Sequence, residues 1–283
     1  MKVTAPDTMT GGRSGRAAAI GIRMRSRLML VVASVAGVAV FTWPLLADAG
    51  SELGQSRSAP LVLALILPMV VAVVLAELSN GRLDAKAVAM LGVLSACGAV
   101  LRPLGAGTAG IELVFFLLVL GGRVYGPGFG FVLGSTTLFA SALVTGGVGP
   151  WLPYQMLAAS FVGLGAGLLP PVRGRIELLM LAGYGALSAL LYGVAMTLSF
   201  WPFTLGTDTE LSYVAGAAVA ENLHRFAIFT LTTSLGWDIG RAITNVVLIL
   251  LLGPAVLATL RRASRRAAFG APVIFEPVPE ARP

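Results

Sequence analysis

A chain of 283 residues that is 57% hydrophobic and only 12% charged stands far from ordinary soluble domains, about a quarter of whose residues are charged. So much apolar surface would aggregate in water, which excludes a soluble fold and points to the bilayer. The net charge of +7 does not indicate nucleic acid, because the cations sit at the ends of apolar runs rather than in one patch.

Residues 1–27 read as a basic tail carrying Lys2, Arg13, Arg16, Arg23, Arg25 and Arg27 ahead of the first apolar run, Leu28–Ala47. That run is long for the hydrophobic region of a signal peptide, and Ala-Asp-Ala at 47–49 is a poor cleavage site, so a retained span is expected. Further spans follow at Pro60–Ser79, Lys86–Leu101, Gly110–Gly122, Pro127–Gly146, Leu152–Pro170, Ile176–Phe200 and Asp238–Leu260, eight crossings in all. The expected fold is therefore an all-α, polytopic membrane helix bundle. Its tails, 1–25 and 263–283, are rich in Gly, Ala, Arg and Pro and are expected to be disordered. Cys97 lies alone in an apolar run and reads as a small packed hydrophobe.

Alternating the loops between two sides gives a test of orientation, since cytoplasmic loops carry the excess of Lys and Arg. With the N-terminus inside, sixteen basic residues fall inside and four, Arg57, Arg102, Arg225 and Arg241, outside. Both termini are thus expected in the cytoplasm. Two spans are short: at 1.5 Å per residue, Lys86–Leu101 reaches roughly 24 Å and Gly110–Gly122 about 20 Å. They must extend into their flanks, sit in a thinned bilayer or border a water-filled cavity.

Three outward connections in the last six spans carry unusual chemistry. The first, 102–110, is bracketed by Arg102 and Glu112. The second runs through GGVGPWLPYQM and supplies Trp151, Tyr154 and Gln155. The third, between Trp201 and Trp237, supplies Asn222 and His224, then Trp237 and Asp238, with Arg241 and Asn245 further down the last span. Spacings of three and four place 238, 241 and 245 on one helical face, and an Asp or Arg at mid-membrane costs about 2.5–3.5 kcal/mol on insertion scales, so that face is expected to border a cavity. Gln155, four residues after Trp151, should share its face. The mixed segment ENLHRFAIFTLTTSLGWD reads as an amphipathic or re-entrant helix over the outer mouth, with a ninth broken span as the alternative. Arg102 with Glu112, and Asp238 with Arg241, also fit structural ion pairs, and the tryptophans also fit an interfacial belt. On the inner side, Ala85, Ala89, Gly92, Ala96 and Ala99 give the third span a small-residue face suited to close helix approach, within the bundle or with another subunit.

The only lysines are Lys2 and Lys86, and neither closes a phosphate-binding GxxxxGK[ST] loop, so this chain is not itself the usual ATPase. HExxH, paired CxxC and GxSxG motifs do not occur, and no cofactor or metal is called for. The cluster GPGFGF at 126–131 reads as a helix start.

Three stretches, GRVYGPGFGFVLG at 122–134, GGVGPWLPYQMLAASFVGLGAGLLP at 146–170 and TSLGWDIGRAITNVVLILLLGPAVLATLRR at 233–262, resemble the substrate-binding S component of energy-coupling factor (ECF) vitamin transporters, including relatives of the cobalamin type. The resemblance implies a six-helix substrate-binding core over 86–262, preceded by two additional transmembrane helices in 28–85 and followed by a tail at 263–283. It implies capture of a vitamin or similar micronutrient at the outer side of a bacterial plasma membrane, by loops that correspond to the three above. It also implies a transmembrane coupling subunit and two cytoplasmic ATPases as partners, with Ala85 and Ala89 in contact with the coupling subunit, and transport by rotation of the core within the membrane. Two other classes stay open: a membrane enzyme acting on lipid-linked substrates with Glu112, His224 and Asp238 as acid and base, and an ion-coupled transporter with protons carried on Glu112 and Asp238.

Overall fold

The computed structural model describes residues 24–46, 59–79, 85–105, 108–204 and 209–267. Within them the chain forms helices α1 (Met24–Leu46), α2 (Ala59–Ser79), α3 (Ala85–Leu104), α4 (Phe115–Tyr125), α5 (Pro127–Thr145), α6 (Leu152–Leu168), α7 (Gly174–Thr204), α8 (Val219–Thr233) and α9 (Leu235–Ala267). No strand occurs among the described residues. Among the described residues five helices are long and apolar enough to cross a bilayer, those containing Arg27–Leu45, Ala85–Leu104, Pro127–Thr145, Gly174–Pro202 and Leu235–Ala267, and shorter apolar stretches lie in α2, α4 and α6. An all-helical bundle is thus observed that is compatible with a multi-pass membrane protein, and the eight crossings expected from the sequence compare with five such helices among the described residues.

The two short spans resolve differently. α3 runs on to Leu104, which makes it about 30 Å long. α4 instead begins five residues late, because Ala109 and Gly110 both take positive φ, 44° and 78°, and break the helix before Phe115. At eleven residues it spans only about 16 Å. All of α4 except Arg123 is buried, so it is enclosed by α5, α6, α7 and α9 and has no lipid-facing length to satisfy. That enclosure lets a helix of this length stand without facing lipid.

α5 and α6 form the tightest pair. Glycines recur every fourth residue at 122, 126, 130 and 134, and Ala159, Gly163 and Gly167 answer them on α6. A Cβ on Gly122 or Gly130 would collide with the backbone of Gly163, one on Gly134 with that of Ala159, and one on Gly167 with that of Pro127. Such small-residue spacing lets backbones approach where lipid offers no hydrophobic drive for association. The glycine cluster that reads as a helix start in the sequence is therefore also the packing seam of the core. α3 joins α5 by the same device, with Gly98 against Thr137 and the Ser95 and Thr136 hydroxyls 2.7 Å apart.

One end of the bundle is held by charge. Glu177, 2% exposed, takes Arg123 at 2.7 Å and also Arg261, and Arg123 donates in addition to the carbonyls of Leu169, Pro170 and Val172. Lys86 donates to Ala267 O and Tyr125 to Leu260 O at the same end. α9 continues past Leu260 to Ala267, so 263–267 are helical rather than disordered, and so is the tail from Met24; the remainder of both tails lies outside the described residues.

A second, aromatic core sits at the opposite end. Trp201 is wholly buried, packs on Tyr213 and Phe226 at 5.4 and 5.5 Å, and donates its indole N–H to Leu211 O at 2.8 Å. With Leu198 and Phe229 it seats α8 against α7 and the end of α1. Burial pushes the Tyr213 phenol above its ordinary pKa. Cys97 lies exposed on the outer face of α3 instead of packed inside.

Candidate functional site

The connections 108–114, 146–151 and 209–218, with the first turns of α6 and α9, lie at one end of the bundle. The loop before α4 lies directly on α9: a Cβ on Gly110 would strike Trp237 O, and one on Gly240 would strike Ala109 O. Glu112 is carried by this loop to the inward face of α9.

There Arg241, 8% exposed, donates to Glu112 Oε1 and Asp238 Oδ1, both at 2.8 Å, and to Ala189 O at 3.4 Å. Its guanidinium lies 5.2 Å from the Tyr192 ring and 5.8 Å from Phe115, and those two rings meet edge-on at 4.6 Å. Gly193 leaves the space that Asp238 occupies, since a Cβ there would overlap the carboxylate. One turn below, Asn245 is wholly buried. Asp238 Oδ2, Arg241 Nε and both amide atoms of Asn245 have no hydrogen-bond partner among the described residues. The shared face expected from the 238/241/245 spacing is therefore observed, and it is buried. Two carboxylates on one guanidinium give a cluster of net charge −1, which is costly in a low-dielectric interior unless a further donor or cation reaches it.

Arg102 does not pair with Glu112. It donates to Gln155 Oε1 at 2.9 Å and reaches Ser141 Oγ at 3.5 Å, which ties the end of α3 to the start of α6. Gln155 is thus satisfied by a cation from within the bundle. Trp151 does not share its setting: the indole is 43% exposed and donates to Gly147 O within its own loop at 3.2 Å. Tyr154 is 4% exposed and sits in an apolar seam, edge-on to Phe41 and Phe200 at 5.7 Å each.

On α8 the buried face is Asn222, Phe226, Phe229 and Thr230, the spacing of an amphipathic helix. With fifteen residues α8 is shorter than a full span. Asn222 clasps Val214 in both directions, accepting from its N–H at 3.1 Å and donating to its carbonyl at 2.8 Å. His224 and Trp237 are exposed. Asn222→Ala should therefore loosen the 209–218 loop by about 1–3 kcal/mol, seen as faster proteolysis there with the rest of the chain intact.

No family model matches the chain, and no curated protein or solved structure is significantly similar to it. Of the predicted positions, the fold brings together Arg102 with Gln155, and Glu112 with Asp238, Arg241 and Asn245; Trp151, His224 and Trp237 are exposed, while Tyr154 and Asn222 are buried. Tyr192 and Phe115, the ring pair beside the guanidinium, are not apparent from the sequence, since both sit in apolar runs. Ala85 and Ala89 are exposed on α3 with Gly92 and Ala96, whereas Ala99 is buried, so the small-residue face is divided between the lipid side and the core.

Proposed function

We propose that the chain is the membrane-embedded binding subunit of an ATP-driven importer of the ECF type, with residues 86–262 as an S-component-like six-helix core, α1 and α2 as additions, and a vitamin-like micronutrient as its solute. The observation that carries this reading is the presence of three furnished loops at one end, where buried polar atoms of Asp238, Arg241 and Asn245 are left without partners among the described residues. At the other end the exposed cations Arg173, Arg175, Arg262, Arg265 and Arg266 fit the cytoplasmic face of a bacterial plasma membrane, so the polar mouth would open outward. The coupling subunit and two ATPases would be separate chains, and the exposed Ala85 and Ala89 face would receive the former.

Two measurements test it. Trp151→Ala and Gln155→Ala should each weaken solute binding by about tenfold or more while insertion and folding persist; mass spectrometry of small molecules that co-purify supplies the solute. Unchanged binding in both variants would remove the site. Ala89→Trp should leave the isolated chain folded and able to bind, yet prevent its recovery with the coupling subunit and abolish ATP-dependent uptake in reconstituted vesicles.

A second reading, an ion-coupled transporter, is favoured by one observation, the buried net negative cluster with a free Asp238 oxygen. Uptake driven by a proton gradient without ATP, and lost in Asp238→Asn, would select it over the importer. The enzyme reading would need His224, which is exposed on α8, to work with Glu112 and Asp238.

A further inference from the structure

A cavity of about 260 Å³ lies between α1, α6 and α7, apart from the polar cluster. α1 contributes one turn, Val38, Phe41 and Thr42, and α6 another, from Ala158 to Val162; α7 forms the longer wall from Tyr184 to Ala195. α1 is held against α6 beside this void. Gly37 meets Phe161 and Leu157 with no room for a Cβ, and Phe41 packs edge-on to Tyr154.

The wall has little polarity to offer. The Thr42 hydroxyl donates to Val38 O at 2.8 Å, Tyr184 to Val162 O at 2.7 Å and Ser188 to Gly185 O at 3.2 Å, so each of these hydroxyls is spent on the wall's own backbone. What remains is a surface dominated by four rings, Phe41, Phe161, Tyr184 and Tyr192. The cavity is partly open, with Val38 and Leu191 exposed at its rim; for scale, an enclosed apolar cavity of about 150 Å³ holds benzene. The larger volume here suits two fused rings. Two of the three walls are a single turn high, roughly 6 Å, so only α7, lining the void from Tyr184 to Ala195 over roughly 17 Å, could follow an extended acyl chain through half of a hydrocarbon core about 30 Å thick.

We propose that this cavity is a binding site for a compact, uncharged aromatic or alicyclic molecule about the size of two fused rings. The site gives α1 a role that the six-helix core does not account for, because α1 supplies the wall that closes the cleft between α6 and α7. It also abuts the polar cluster through Tyr192, whose ring lines the cavity and lies 5.2 Å from the Arg241 guanidinium. The inference requires only these three helices and stands whether or not the chain belongs to an importer.

The test uses the purified full chain in lipid nanodiscs with 1-fluoronaphthalene, followed by fluorine NMR. The expected result is a saturable bound signal, distinct from probe dissolved in lipid, at one site per chain. Unlabelled naphthalene should displace it and 1-naphthalenesulfonate, of similar shape but charged, should not. Ala195→Phe, which fills the void, and Val38→Trp, which covers its mouth from an exposed position, should each lower probe affinity by about tenfold or more, with elution and helicity unchanged. No saturable signal in the unaltered chain would overturn the proposal, as would equal binding in a folded variant of either kind. Displacement by the sulfonate, or by a long-chain alkane as readily as by naphthalene, would also overturn it, the latter in favour of a lipid groove.

Discussion

Replacing Arg241 with Met should destabilise the chain by about 3–5 kcal/mol, the range seen when one partner of a buried ion pair is removed. Asp238 and Glu112 would then face each other across the space the guanidinium filled, one of them 3% exposed and already lacking a partner for Oδ2. The rings of Phe115 and Tyr192 cannot replace the lost donors. The loss should be visible as a lower midpoint for thermal or SDS-induced unfolding of the purified chain. A triple variant, Glu112→Gln, Asp238→Asn and Arg241→Met, removes the charges together and should regain much of the stability, since replacing a whole buried pair is far cheaper than breaking one. Arg241→Met within about 1 kcal/mol of the parent would mean that the cluster is hydrated and does not join α9 to α7 and the loop before α4.

That cluster also marks how far the sequence reaches. The spacing of Asp238, Arg241 and Asn245 specifies a shared face because helical periodicity is local. Which carboxylate completes the cluster is a matter of tertiary packing: Glu112 and Arg102 are ten residues apart, yet each is closer to a partner from another helix. The helices themselves are read well from apolar runs, and the boundaries that shift do so for stated local reasons, such as the positive φ angles at Ala109 and Gly110. Enclosure is what hydropathy misses. α4 and α3 look alike as short apolar segments, but one is surrounded by protein and the other keeps an exposed face with Ala85, Ala89, Val93 and Cys97. The same blindness applies to Tyr154 and Trp151, three residues apart in an aromatic loop, where one turns into the seam with α1 and α7 and the other outward.

The largest effect of all is expected from Gly163→Leu. The backbones of α4, α5 and α6 converge at this residue: Gly122 and Gly130 both approach its carbonyl, and its own Cβ would meet Gly130 O. The obstacles are main-chain atoms, so no side chain can swing aside, and overpacking that already costs about 1–3 kcal/mol in forgiving cores becomes separation of two helices here. The variant should fail to accumulate as a monodisperse protein, and even Gly163→Ala should lower the unfolding midpoint clearly. Gly183→Leu is the matched control, because a Cβ at that position of α7 meets nothing within 4 Å; it should be tolerated, or slightly stabilising, given the roughly 1 kcal/mol by which Gly disfavours a helix. Equal outcomes for the two leucines, scored by size exclusion and thermal unfolding, would show that the glycine ladder does not set the α5–α6 distance. A selective loss at 163 would instead place the ladder at the centre of the bundle, since the loop that carries Trp151 and leads to Gln155 in α6 connects these same two helices and keeps its position only while they stay in backbone contact.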